Sequence, residues 1–346
     1  MALCAMAMVA FVACKKEPVT PTPGPEPEPV YEVDPLVEGQ YNPSARIEYV
    51  TVDGNPSEEW VWVDSLLSAV RQANGNGSYS DAIGFTYEGA RVQELTYSGS
   101  MMSGTVSVGY DNDGISTITL VRGGEQMFSV EVEHGAPNRI SQMQADIDSA
   151  YINELLSSLM GGFSFGKSGE KLEFNGGHAL IDYVWSDENV SRMIANISVS
   201  GSVTLNEINN VVNIKPYINS YLAEMGLSFV TADMVLAAIG DTPLPVALTV
   251  VDTIDYTYDT RINPMRGYMG NLDVSMLSGN NVTVSKSHGQ MNAVLTVSFM
   301  GMGGDMPISY PVPSQTTRFT YTYNTEGYPL TVTDSDGSVT EYIYRQ

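Results

Sequence analysis

Val106-Ser107-Val108-Gly109-Tyr110-Asp111-Asn112-Asp113-Gly114-Ile115-Ser116-Thr117-Ile118-Thr119-Leu120 reads as one β-hairpin. Apolar and polar residues alternate on both sides of an Asp-Asn-Asp-Gly centre, so each run offers one face to a core and one to water. Asn, Asp and Gly tolerate the positive φ that tight hairpin turns require. The same pattern recurs on either side. Ile83-Gly84-Phe85-Thr86-Tyr87-Glu88-Gly89 leads into Val92-Gln93-Glu94-Leu95-Thr96-Tyr97, and Phe128 to Gly135 leads into Arg139-Ile140-Ser141. Tyr87 and Tyr110 are 23 residues apart and Tyr110 and Val132 22, the length of one hairpin per unit. Val61-Trp62-Val63-Asp64, Tyr183-Val184-Trp185-Ser186-Asp187, Tyr256-Thr257-Tyr258-Asp259 and Tyr321-Thr322-Tyr323-Asn324 repeat the strand end and turn. Hairpins in tandem make a meander in which each covers its neighbour's edge. The expected fold is therefore mostly β: a large, curved antiparallel meander, half-barrel or barrel-like.

Two stretches break the period-2 pattern. Gln144 to Met160 spaces Ile147, Tyr151, Leu155 and Leu159 four apart, which predicts a helix with one apolar face. Pro216 to Gly226 opens on Pro and closes on Gly, the punctuation of a second short helix.

Composition narrows the function. The formal net charge of −24 opposes binding to phosphate backbones, which relies on Lys and Arg displacing counterions, so nucleic acid is excluded as a partner. The two cysteines, Cys4 and Cys14, both precede the repeats, so the body has no disulfide framework, thiolate metal site or cysteine nucleophile. Ala2 to Ala13 is a short apolar run, too short to span a bilayer as a helix and suited to a signal peptide. It ends Phe11-Val12-Ala13-Cys14, which resembles the lipobox of bacterial lipoproteins and implies that Cys14 is acylated. Lys15 to Pro29 then alternates Pro with Glu and Thr, an extended spacer that holds a domain off a membrane. The expected organisation is a lipoprotein signal peptide (1–14), a Pro/Glu-rich extended linker (15–38) and a repeated-hairpin β domain (39–346). The expected location is the bacterial cell envelope, as an outer-membrane lipoprotein held through its lipid anchor.

The repeats resemble the tyrosine-aspartate repeats of bacterial surface and shell-forming proteins. More narrowly, Tyr256-Thr257-Tyr258-Asp259-Thr260-Arg261-Ile262-Asn263-Pro264-Met265-Arg266-Gly267, Leu277 to Val282 and Phe319 to Pro329 resemble a family of Bacteroidales-type lipoproteins. That family is a domain of unknown function with a porin-like fold. The resemblance runs from about Tyr41 to Tyr344. It implies a strongly curved antiparallel sheet and supplies no catalytic residue.

Several motifs mimic chemistry. Gly161 to Ser168 matches the phosphate-loop spacing, and within it Gly162-Phe163-Ser164-Phe165-Gly166 matches a nucleophile elbow. Both need a strand before the loop and a helix after it. The order here reads as helix, then strand, so no phosphate or serine chemistry is expected. Asp111 to Gly114 and Asp334 to Gly337 suggest calcium loops, but the sixth and twelfth places hold Ser116 and Arg122, or Val339 and Arg345, instead of Gly and Glu. They read as turns. His134, His178 and His288 lack zinc-site spacing, and His134 reads as a turn residue. No catalytic residue, metal ligand or cofactor is assigned. The leading expectation is a non-enzymatic binding or scaffold module, with a glycan or an envelope protein as partner and the tyrosine-rich sheet as its surface. Two alternatives remain: a secreted hydrolase acting on polysaccharide or peptide through a carboxylate pair, and a structural subunit of an outer-membrane complex.

Overall fold

The computed structural model describes residues 31–33, 35–98, 103–149, 173–211, 213–270, 273–299 and 302–345. Short strands come first: β1 Ile47–Val52, β2 Asn55–Val63, β3 Leu66–Ala73, β4 Tyr79–Glu88, β5 Arg91–Ser98, β6 Ser103–Tyr110, β7 Ile115–Arg122, β8 Glu125–Ala136 and β9 Arg139–Ile147. Longer ones follow: β10 Glu173–Ser186, β11 Asn189–Val203, β12 Leu244–Ile262, β13 Asn280–Phe299 and β14 Met302–Arg318. Three short strands close the chain, β15 Thr320–Tyr323, β16 Pro329–Thr333 and β17 Val339–Tyr344. Consecutive strands pair antiparallel from β1 to β14, then from β15 to β17, and β17 pairs back onto β1. β14 and β15 run on as one line, because the Phe319 N–H between them still reaches the Thr283 carbonyl of β13. The sheet is thus a nearly closed antiparallel barrel of seventeen strands, as the repeated hairpins predict.

The wall turns its charges outward. Arg71 bridges Glu59 at 3.2 Å and Asp81 at 2.8 Å across β2, β3 and β4, and Arg192 meets Asp255 across β11 and β12. Apolar side chains such as Leu67, Val70, Leu95, Ile118 and Ile140 point inward into one continuous core. A lipid-spanning barrel has the opposite polarity, with its apolar band outside.

β10 to β14 outrun the short strands and continue as an open, curved extension. Three helices sit on it: α1 Leu205–Val211, α2 Lys215–Glu224 and α3 Ala232–Ile239. They bury a second core of Leu205, Ile218, Leu222 and Val235 against Val246, Leu295 and Met306. α2 is the helix expected from Pro216 and Gly226. The other expected helix is corrected at its start: Gln144 to Ile147 belong to β9, where Gln144 pairs with Glu131 and Leu180. Its four-residue spacing coincides there with strand alternation, and a covered neighbour on each side decides for strand. Residues 150–160 lie outside the described residues. β14 pairs with β13 alone among the described residues. Pro307, Pro311 and Pro313 remove backbone donors along it, which blunts a long edge against strand addition.

Candidate functional site

Seven of the hairpins carry a β-bulge next to the turn, and each brings an aromatic or His to the same place. Register shifts fall at Trp62, Tyr87, Tyr110, His134, Trp185, Tyr258 and Tyr323. β17 and β1 form an eighth unit across the termini, with Tyr344 opposite Ile47. A bulge re-aims the side chain beside it, and here it lays the ring against the preceding hairpin. Trp62 donates to the Ile47 carbonyl, Tyr87 to Leu67, Tyr110 to Val92, Trp185 to Ile140, Tyr258 to Val190 and Tyr344 to Pro329, at 2.5 to 2.7 Å, while in the Tyr323 unit Tyr321, two residues before the bulge, donates to Val282 and Tyr323 itself to Asp259. Each carbonyl acceptor belongs to the cross-strand partner of the previous unit's bulge residue, so the bonds run round the barrel mouth as rungs. Arg46, Arg91 and Arg139, each one residue before an acceptor, lie 5.0 to 5.4 Å over the rings of Trp62, Tyr110 and Trp185. The rung aromatics are therefore structural members of the barrel wall.

The eighth rung differs. His134 occupies the bulge position of β8 and is a buried strand residue, not the turn residue its Gly135-Ala136-Pro137 neighbours suggest. Its Nε2 lies 2.9 Å from Glu38 Oε2, and the same oxygen accepts from the Ile115 N–H at 2.8 Å. Asn138 Oδ1 accepts the Glu38 N–H. The other carboxyl oxygen, Glu38 Oε1, is buried without a partner. Gly114 leaves the room, since a Cβ there would lie 2.4 Å from Glu38 Oε2. Burial raises the Glu38 pKa, offset in part by the Ile115 and His134 hydrogen bonds.

Glu38 belongs to a strap, residues 31–33 and 35–41, that runs round the rim. Tyr31 N–H bonds the Thr260 carbonyl and its ring lies under Arg261. The Gly39 carbonyl accepts from Val92 N–H, and Tyr41 donates to the Pro264 carbonyl at 2.8 Å. Among the described residues, contacts with the barrel are therefore present from Tyr31 on, within the 15–38 segment read as linker.

Between β12 and β13 the chain turns into the barrel as a plug, residues 263–270 and 273–279. Asn263 ties its two ends together by donating to the Ser275 and Ser278 carbonyls. Arg266 and Arg139 share Glu188, whose pKa the Arg266 hydrogen bond lowers. Tyr268 is 3% exposed and stands 4.6 Å from Trp60, 5.5 Å from Tyr41 and 6.1 Å from Phe85, centroid to centroid. Beyond it, Tyr97 of β5 donates to the Gly270 carbonyl deep in the wall. Tyr268→Ala should cost about 3–5 kcal/mol, the range for deleting a large core aromatic; urea unfolding of the full chain measures it.

Asp273, which caps α4 Val274–Leu277, is exposed although the plug around it is buried. Its charge acts on Tyr183 of β10, Tyr256 and Tyr258 of β12, Tyr342 of β17 and Tyr268 of the plug. Burial comes first in raising each of these hydroxyls, Tyr342 to about 12. Glu58 lies on the same side: it pairs with Val50, as Tyr342 does, and cross-strand partners share a face. Its Oε2 accepts from Trp60 Nε1 at 2.8 Å, and burial raises its pKa. Plug, strap and rungs gather at one end of the barrel, with Tyr183, Tyr256, Tyr258 and Tyr342 of the wall on the Asp273 side of the plug.

The other sequence candidates do not converge. Cys14 and Gly161 to Ser168 lie outside the described residues. Asp111 and Asp334 close their turns through their own side chains, as expected. His178 meets Asp146 at 2.9 Å on exposed positions, and His288 stands mid-strand in β13. Phe229 and Met234 are exposed apolar residues on the helical cap, 74% and 54%. No group of three or more metal-ligating side chains occurs among the described residues.

No family model and no curated protein matches the chain. A solved structure described as a porin-like protein from Bacteroides uniformis matches 89% of this chain and 100% of its own, at 11% identity and a TM-score of 0.28.

Proposed function

We propose that the protein is a lipid-anchored, non-enzymatic binding module of the bacterial cell envelope that holds a small ligand in the lumen above its plug. The observation that carries this is Asp273, which is exposed although its charge reaches tyrosines on β10, β12 and β17. A side chain kept wet among such rings fits a receptor better than a filled scaffold. Cys14 would carry the acyl chains, and residues 15 to 30 would space the barrel from the membrane. The outward charges of the wall agree with a body that stays in water. The partner is sought first among envelope glycans, since Tyr and Trp offer flat apolar faces with a polar edge. A glycan array with the full chain lacking only its acyl group tests this. Binding that Tyr256→Ala weakens supports it, and silence across the array removes the glycan.

The hydrolase reading keeps one observation in its favour. Glu58, raised by burial, and the exposed Asp273 act on the same two tyrosines, Tyr268 and Tyr342. Unequal carboxyls in one space are what acid-assisted glycoside cleavage requires. Release of reducing ends by the wild type, abolished in Glu58→Gln, would establish it.

A further inference from the structure

We infer that the strap is a latch on the plug, and that the two open as one unit while the strands of the barrel stay paired. Apart from α4, neither segment forms a strand or helix among its described residues, so each is held by what it touches. They meet at three places. Tyr41 is 2% exposed, donates to the Pro264 carbonyl at 2.8 Å, and its ring stands 5.5 Å from that of Tyr268. Gly267, at a φ of +82°, lies so close to the Gln40 carbonyl that a Cβ there would collide with the oxygen. Gly279, where the plug returns to β13, faces Val33, and a Cβ on it would lie 3.0 Å from Val33 Cγ2. The plug keeps glycine at both crossings, which lets the strap pass directly over its backbone.

Contacts with the wall alternate with these. Tyr31 is tied to Thr260 of β12, Glu38 to Ile115 of β7 and His134 of β8, and the Gly39 carbonyl accepts from Val92 of β5. Along the strap the order is therefore wall at Tyr31, plug at Val33, wall at Glu38 and Gly39, then plug at Gln40 and Tyr41. Lifting Glu38 out of its seat loosens Gln40 and Tyr41 next to it, and through Tyr41 the Pro264 end of the plug. Segments joined in this way open as one cooperative unit, apart from the ladder that surrounds them. The opened unit uncovers the ring faces of Trp60 and Trp62, from which Tyr41 stands 5.9 and 5.7 Å. The chain toward Cys14 continues from Tyr31, so a load on that segment reaches the plug through the strap. The coupling itself does not depend on the anchor.

Hydrogen–deuterium exchange of the full chain, read by mass spectrometry over peptides of the strap, the plug and strands β4 to β7, tests the latch. Two variants disturb it from opposite sides. Glu38→Ala removes the acceptor of the Ile115 N–H at the wall, and Gly267→Ala puts a Cβ against the Gln40 carbonyl at the plug. Each should speed exchange about tenfold in strap and plug alike, the scale of one lost buried hydrogen bond. Strands β4 to β7 should keep wild-type rates. A strap freed by Glu38→Ala over an unchanged plug, or a plug freed by Gly267→Ala under an unchanged strap, would overturn the inference. So would wild-type rates in both segments of both variants. Equal acceleration in β4 to β7 would also overturn it, because strap and plug would then open only with the whole barrel.

Discussion

His134→Tyr is expected to complete the ring of rungs and to release the strap. A tyrosine at the β8 bulge stands where Tyr87 and Tyr110 stand in their own hairpins, and the matching acceptor is the Ile115 carbonyl, because Ile115 is the cross-strand partner of Tyr110. The new rung adds about 1 kcal/mol, the usual net worth of a buried hydrogen bond. Glu38 then loses its imidazole and its space, and a buried carboxylate with a lost partner is costly enough to leave. Limited proteolysis should cut within residues 31–41 of the variant while the barrel resists. If the strap stays protected in His134→Tyr, the Glu38–His134 pair does not hold it.

The same pair fixes a pH dependence. Glu38 has a raised pKa in the folded state, so the native chain holds this proton more tightly than the unfolded chain. The group's stabilising contribution is therefore fully present below the ordinary carboxylate pKa and is lost as pH rises through its folded value. Glu38→Gln keeps an acceptor for Ile115 N–H and removes the charge. It should flatten the rise in strap protection expected as pH falls toward the ordinary carboxylate pKa. Glu38→Ala leaves the Ile115 N–H unpaired and should cost about 1–3 kcal/mol at any pH.

Cys14→Ser should move the protein wholesale from membrane to soluble fractions. A single acyl chain binds a bilayer only marginally, and an acylated N-terminal cysteine carries more than one, so all membrane affinity is assigned to that residue. The outer wall offers no substitute, since Arg71, Glu59, Asp81, Arg192 and Asp255 charge its surface. The barrel should keep its circular dichroism and melting temperature. Labelled palmitate still incorporated into Cys14→Ser, with the protein still in membranes, would refute the anchor.

The hairpin repeat was legible in the residues alone because it depends on local rules. Period-2 alternation assigns a face to each side chain, and an Asp-Gly turn fixes where the strand folds back, so Val106 to Leu120 needs no distant partner to be read. The α2 helix was readable for the same reason, through Pro216 and Gly226. Helices α1, α3 and α4 were not: they are short, and packing on the strand extension or inside the barrel decides them. Gln144 to Ile147 shows the limit, since two periods fit one stretch and neighbouring β8 and β10 chose between them. The rung aromatics were visible as a recurring motif, and the Arg-Ile and Arg-Val pairs at Arg46, Arg91 and Arg139 were a signal that went unread. Their direction was hidden, because a bulge turns a ring by an amount that only paired strands define. Glu38 and His134, 96 residues apart, carry no local mark of each other. Tertiary structure alone joins them, as it alone carries Tyr268 into the core and leaves Asp273 wet beyond it. Sequence determined which residues face inward; closure of the sheet decided which of those inward faces meet, and where space remains between them.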